Sequence, residues 1–325
     1  MEQVRSLDKF PGMIESCERN HLFAVGKQLK SNSIVVEFGT FLGASIACLI
    51  EGYASINSPV SSESSPLLIT YDGFKCDVGS DLYHYVVSYC KQANVSNKLQ
   101  INGKILSWKD AAKEVIRSTK CSKKINVSIV EEYIGANFRL SEQIKKIDFL
   151  HLDMPKDWET LFPILKATHN ILPKGAIIAF QDYGFELSGE LIYAFNQLCR
   201  IGKLHPLRAV ASTVYFRVNE SILPEDLLNI NRTIYDHNDM FIKAILDFER
   251  FFKEIKGFRE SELQAVQLAA VQLLSQSTIP ELRKMDLISK SLIHQSSQNS
   301  NNYYYIRLAR LLASSMSTNK PLASN

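Results

Sequence analysis

Apolar and polar residues change rhythm several times along this chain, and each change marks an element. Met13, Ile14, Cys17, Phe23 and Leu29 are spaced as the buried stripe of an amphipathic helix over residues 11–30, with Pro11 in its first turn. Ile34, Val35 and Val36 form a short β-rich run that ends in Glu37 and breaks at Gly39. Gly43 then opens an apolar, helix-compatible run over residues 44–50. A buried strand, a glycine turn and a helix N-terminus make the arrangement in which α/β folds hold a nucleotide-like ligand. Residues 55–66 are rich in Ser and Pro and read as a surface loop, and residues 67–72 as a second buried strand ending in Asp72 before Gly73.

The rhythm is least regular over residues 77–106, where one helical stretch (residues 82–93) sits in what reads as an insertion beside a substrate entrance. A helix is expected over residues 107–119, capped by Ser107, with Trp108, Ala111, Ala112, Val115 and Ile116 on one face. Residues 125–130 alternate as a third strand, followed by Glu131 and Glu132. Residues 147–153 form the fourth strand and end in Asp153, and a helix over residues 161–170 follows, with Asp157 as its N-cap. Pro173 to Gly175 turns into strand five, residues 176–180, which ends in Gln181, Asp182 and Tyr183. A helix over residues 189–201 and two strands within residues 204–218 complete an α/β unit expected to stop near Asn219. Beyond it, residues 227–316 contain one glycine and no strand pattern, and helices are expected over 236–256, 260–275, 280–294 and 303–315. The chain thus divides into residues 1–219, a Rossmann-like doubly wound sheet with an antiparallel closing strand, and an all-α region, residues 220–325. The apolar residues of those last helices need a partner surface: the first unit, each other, or a second copy in a homo-oligomer.

Composition narrows the function. The chain has 325 residues, 46% hydrophobic, with a net charge of +3. Neither a basic face nor a basic arm for nucleic acid is visible. No apolar run approaches the ~18 residues of a membrane span, and the first residues read as no signal peptide. Six scattered cysteines without a Cys-x-x-Cys pair suit reduced thiols in a cytoplasmic protein.

The first motif, Glu37-x-Gly39-x-x-x-Gly43, is not the Gly-x-Gly-x-x-Gly of dinucleotide binders and lacks an amide-rich cradle for a diphosphate. It resembles motif I of the class I S-adenosylmethionine-dependent methyltransferases. The run from Asp153 through Lys156 and Asp157, a helix, Leu-Pro-x-Gly, an apolar strand and then Asp182-Tyr183 is similar to that family's motif IV to V layout. Two branches come nearest: the small-molecule and sugar O-methyltransferases of the macrocin type, and the cation-dependent catechol-type O-methyltransferases, whose Asp-x-x-Lys-Asp box matches Asp153, Lys156 and Asp157. The resemblance covers residues 30–219.

The resemblance implies that Glu37, Gly39, Thr40, Gly43, Ser45, Asp72, Glu131 and Asp153 line the S-adenosylmethionine site. Asp72 would hold the ribose hydroxyls, and one of Glu131 and Glu132, with Glu131 the candidate taken, would approach the adenine amine. It implies O-methylation of a small-molecule or sugar hydroxyl by in-line displacement, with Lys156 as candidate base beside Asp153, its pKa lowered by burial. Oxygen donors from Asp153, Gln181 and Asp182 would suit Mg²⁺. Two positions depart from the family: Pro155 and Gln181 stand where the macrocin-type boxes carry acids. They motivate the competing reading of a methyltransferase-like scaffold or oligomerisation subunit without chemistry. A nicotinamide oxidoreductase is disfavoured by the glycine spacing. His151 reads as a hydrogen-bonded strand residue, and Trp158, Tyr183 and Phe185 suit a ring-shaped acceptor or ordinary packing.

Overall fold

The structure, a computed structural model, describes residues 7–57, 65–119, 125–154, 156–183, 189–236 and 255–257. In chain order its elements are α1 (Ser16–Gln28), β1 (Ile34–Phe38), α2 (Ala44–Ile56), β2 (Leu67–Asp72) and β3 (Lys75–Asp77). There follow α3 (Asp81–Gln92), β4 (Gln100–Asn102), β5 (Ile105–Ser107), α4 (Lys109–Arg117) and β6 (Asn126–Glu131). The last are β7 (Phe149–Leu152), α5 (Trp158–Thr168), β8 (Ile177–Phe180), α6 (Gly189–Arg200), β9 (Leu204–Val210), β10 (Thr213–Val218) and α7 (Pro224–Asp236).

Strand alternation decides the layers. Val36, Phe38, Leu150 and Leu152 face one side of the sheet and join α5, α6 and α7, while Val35 and Phe149 face the other and join α1, α2 and α4. The seven-stranded sheet runs β6-β2-β1-β7-β8-β10-β9. β1, β2, β6, β7 and β8 are parallel, and β10 is antiparallel to both its neighbours. In sequence rank this is 3-2-1-4-5-7-6, a doubly wound sheet closed by an antiparallel strand. The direction of winding reverses between β1 and β7, and in open α/β sheets the crevice at such a reversal is where ligands bind.

Several local expectations change. α1 starts at Ser16, with Glu15 and Glu18 forming its capping box, so Pro11 lies ahead of the helix. Its buried face is Glu18, Arg19, Leu22 and Gly26, whereas Cys17 is exposed and Met13 is 52% exposed. Charge is affordable there because it is fully engaged: Arg19 donates to the carbonyls of Leu7, Phe10, Gly12 and Ile14. Glu18 accepts from Thr213 Oγ1 at 2.7 Å and Ser212 Oγ at 3.2 Å. α1 and α2 touch through glycine: a Cβ on Gly26 would stand 2.3 Å from Leu49 O, and one on Gly52 would stand 2.1 Å from Phe23 O.

The irregular stretch after β2 is a small antiparallel sheet, β3-β5-β4, carrying α3. Ser107 ends β5 opposite Lys75 rather than capping a helix, and α4 begins at Lys109 after Trp108. Residues 132–148, the crossover from β6 to β7, contain neither helix nor strand. α7 was not anticipated. Its Leu227, Ile230 and Ile234, at helical spacing, are buried in the main core, and Asn231 Oδ1 accepts from Trp158 Nε1 at 2.8 Å. Lys256 O then accepts from Ala209 N of β9 at 2.9 Å. The helices expected beyond residue 257, and most of the one over 236–256, lie outside the described residues. Among the described residues no helix is long and apolar enough to cross a membrane.

Candidate active site

The site is built from the carboxyl ends of β1, β2, β7 and β8. Asp153 N and Met154 N both donate to Phe38 O, at 2.8 and 2.9 Å, which draws the end of β7 onto the end of β1. Gly39 makes that approach feasible, since a Cβ there would stand 2.5 Å from Met154 N and its φ is +99°. Gly43, also left-handed at φ +82°, is the N-cap of α2 and brings no side chain to the first-turn amides. A ligand group at this turn therefore meets backbone N–H donors and a helix N-terminus.

Beneath the turn lies a buried polar network that the spacing did not announce. Glu37, fully buried, accepts from Ser45 Oγ, from Thr70 Oγ1 at 2.7 Å and from His151 Nδ1 at 2.9 Å, and the Thr70 hydroxyl also meets that of Thr40. Burial works against the His151 imidazolium, but the hydrogen bond and charge of Glu37, with Asp153 behind it, outweigh this and hold His151 above its ordinary range. Ser45 thus turns its hydroxyl inward to Glu37, and Thr40 turns its own to Thr70. The signal was present as register: Glu37 pairs with Thr70 on one side and His151 on the other, so three polar side chains share one sheet level.

Asp72 sits at the tip of β2. Its Oδ2 accepts from Phe41 N at 2.8 Å and its Oδ1 from Phe74 N at 2.7 Å, so the carboxylate fixes the loop after β1 and its own turn. Burial, partly offset by those amides, pushes its pKa up to about 6. Trp108 Nε1 donates to Phe41 O at 3.1 Å, tying α4 to the same loop. Glu131, the neighbour of Asp72 across the β2–β6 pair, is held by Lys75 Nζ at 2.5 Å and Lys109 Nζ at 3.2 Å. Those hydrogen bonds lower its pKa and lock the small sheet and α4 to the end of β6. Neither lysine stood out in the sequence, because each reaches the acid only through the fold.

Asp153, Lys156 and Asp182 form the third cluster. Lys156 Nζ lies 2.7 Å from Asp182 Oδ2 and 3.5 Å from Asp153 Oδ1. Asp182 enters through a left-handed turn, φ +54°, at the end of β8. Gln181 beside it is buried, and its backbone N–H donates to Leu152 O at 2.8 Å. Burial pushes the Asp153 carboxyl up to about 6, despite the nearby Lys156 and His151 charges. For Lys156, burial lowers the pKa but Asp153 and Asp182 together raise it further, so the ammonium form is favoured. This reverses the downward shift expected from the sequence, because two carboxylates face the amine at close range. Among the described residues no three His, Cys, Asp or Glu side chains cluster as a metal would need. Pro155 and Phe185 lie outside the described residues. Tyr183 and Trp158 are packing residues: Tyr183 is buried against Phe180, Phe195 and Phe216, and Trp158 is buried against Phe162. Asp157 caps α5, accepting from Thr160 N at 2.7 Å.

Five parallel strands, the reversal beside β1 and the antiparallel β10 make the doubly wound sheet with an antiparallel closing strand expected from the sequence. The sequence matches no protein-family model and no curated protein. Among solved structures it is similar to the O-methyltransferase NovP, at 12% identity and TM-score 0.43, over 65% of this chain and 83% of that one. It is also similar to CalS11, a TDP-rhamnose 3'-O-methyltransferase of calicheamicin biosynthesis, at 17% identity and TM-score 0.43, over 61% and 77%. A third is the tRNA (m1A58) methyltransferase TrmI from Aquifex aeolicus, at 14% identity and TM-score 0.37, over 65% and 72%. Likeness at this level concerns the fold alone, and the role of each residue here rests on this chain's own geometry.

Proposed function

We propose that this protein is an S-adenosylmethionine-dependent methyltransferase acting on a hydroxyl of a small molecule or sugar. The observation that carries the reading is a meeting at the sheet reversal: the glycine turn after β1 abuts Met154, which follows Asp153 of the Asp153–Lys156–Asp182 cluster. S-adenosylmethionine would supply a methyl group on a positively charged sulfur. Gly39 and Gly43 shape the turn for its amino-acid end, and Asp72 accepts the ribose hydroxyls with the lone pairs left over from Phe41 and Phe74. Glu37, Thr40 and Ser45 act one layer below, setting the turn's shape. Glu131 stands near the adenine end with its charge already shared between two lysines.

At the chemical end the acceptor oxygen attacks the methyl carbon as the carbon–sulfur bond breaks, and its proton must leave to a nearby group. Asp153, poised with a pKa of about 6, takes that proton, and the Lys156 ammonium hydrogen-bonds the oxygen as charge develops on it. Lys156 serves as base only when acceptor binding draws it away from the two carboxylates. Two carboxylates converge on one point, now held by Lys156 Nζ, and a hard cation there would need further oxygen donors. Asp153 and Asp182, with the Gln181 amide, would hold Mg²⁺ there once Lys156 shifts, and the ion would acidify a bound hydroxyl. Calorimetry with S-adenosylmethionine and acceptors, with and without Mg²⁺, tests both layers. Cofactor binding is expected in either case, acceptor binding that requires Mg²⁺ would establish the metal, and absent cofactor binding would overturn the proposal.

Asp72→Ala is expected to weaken S-adenosylmethionine binding tenfold to a hundredfold, since hydrogen bonds to a charged group contribute about 1.5–3 kcal/mol. In the wild type the affinity should fall between pH 7 and pH 5, as a carboxyl with a pKa of about 6 takes up a proton and loses acceptor strength. Unchanged affinity in Asp72→Ala would remove it from the ribose site.

A further inference from the structure

Away from the strand tips, the helix-free crossover of residues 132–148 leaves a cavity of about 600 Å³ between itself and the end of α5. This is well within the range of small-molecule sites. Its other wall is formed by Lys166 of α5 with Asn170 and Ile171 of the turn that follows, and Ile171 O accepts from Ile147 N at 2.8 Å just ahead of β7. That wall therefore lies near the amino end of β7, whereas Asp72, Asp153 and Asp182 stand at the carboxyl ends of their strands. Its crossover wall is pinned from within: Phe138 and Ile144 are buried, and the Phe138 ring meets those of Phe38 and Tyr71 edge-on at 5.5 and 5.6 Å.

Three cations line this cavity, Arg139, Lys145 and Lys166, and the only acid among its lining residues is Glu142. All three cations are exposed, and among the described residues no carboxylate pairs with any of them. Lys75 and Lys109, by contrast, are both neutralised by Glu131. Asn137, Ser141 and Asn170 add neutral hydrogen-bonding groups, and Phe138, Leu140, Ile144, Ala167 and Ile171 supply an apolar floor. Converging unpaired cations over such a floor are the complement of a compact anion carrying an apolar or ring-shaped part. Guanidinium and ammonium groups are the side chains that hold phosphate oxygens.

We propose that this cavity is a second binding site, for a phosphate-bearing small molecule of nucleotide or sugar-phosphate size. Binding of ADP, of glucose 6-phosphate and of inorganic pyrophosphate to the full-length protein is measured by calorimetry at low salt, beside S-adenosylmethionine as a control. At least one of the two organic phosphates is expected to bind at least tenfold tighter than pyrophosphate, which lacks a part to rest on the floor. Which of them binds tells a nucleotide from a sugar phosphate. The triple variant Arg139→Ala, Lys145→Ala, Lys166→Ala is expected to lose that binding by tenfold or more, with S-adenosylmethionine affinity unchanged because none of the three side chains holds a residue of the strand-tip site. The three side chains are exposed, so the variant should fold, and its unfolding midpoint checks this. Absence of binding by both organic phosphates at millimolar concentration would overturn the proposal, as would binding that survives in the triple variant. An RNA oligonucleotide that binds far tighter than ADP through the same three residues would replace the small ligand with nucleic acid.

Discussion

Asp153→Asn should lower turnover by about a hundredfold to ten-thousandfold, the range that a positioned proton acceptor contributes. The substitution keeps the shape of the side chain and removes its negative charge, so the backbone bonds from Asp153 and Met154 to Phe38 should survive and the end of β7 should stay in place. The pH profile identifies the acceptor of the proton. With Asp153 in that role, wild-type kcat/KM for the acceptor, at saturating S-adenosylmethionine, climbs through about pH 6, where burial has pushed its carboxyl, and the variant loses that limb. Were neutral Lys156 the base, the rate would keep climbing to high pH, because its two carboxylate neighbours raise the lysine above its ordinary range. Lys156→Ala separates the two further: it removes the hydrogen-bonding ammonium in either case, but only under the first mechanism does the acid limb persist, moved upward because the Lys156 charge no longer lowers the Asp153 pKa. A profile flat from pH 5 to 8 in the wild type would withdraw Asp153 as acceptor.

Glu37→Ala should cost about 3–5 kcal/mol of stability, the penalty for removing one member of a buried, hydrogen-bonded charge pair. Glu37 and His151 are both essentially inaccessible to water, and the substitution leaves the His151 ring and the Ser45 and Thr70 hydroxyls without their shared acceptor. Denaturant unfolding of the wild type and the variant measures the difference. Its pH dependence has a fixed sign. A histidine whose folded pKa is raised contributes stability fully present below its unfolded value near 6.5 and lost as pH rises through the folded one. The gap between wild type and Glu37→Ala is therefore expected to be largest in mild acid and to narrow toward alkaline pH. A loss below 1 kcal/mol would mean that the network is not coupled to folding.

Four of the parallel strands were legible because each is a short apolar run with an acid at or just past its end, and β6 because its residues alternate. The acids at the tips of β1, β2, β7 and β8 could be picked out for the same reason. What the linear pattern hid was direction and pairing. Glu37 reads as a motif acid, yet only strand register sets His151 and Thr70 on either side of it. Glu18 and Arg19 read as the polar side of an amphipathic helix, and they are its buried side because each finds partners far along the chain. Lys156 was legible as a residue of the chemical cluster, but the sign of its pKa shift required the second carboxylate, from a strand 26 residues on. The small sheet β3-β5-β4 stayed hidden because strands of three residues carry too few positions to show alternation.

The bonds from Glu18 to Ser212 and Thr213 span 194 and 195 residues, and this has a consequence for how the chain is made. At translation speeds of about 5–20 residues per second, the acid waits roughly ten seconds or more for the hydroxyls that satisfy it. Through that interval α1 cannot take up its final seat, and the glycine face it offers to α2 must be held without its far anchor. α1 is made long before it is locked, and the turn joining β9 to β10 is what locks it.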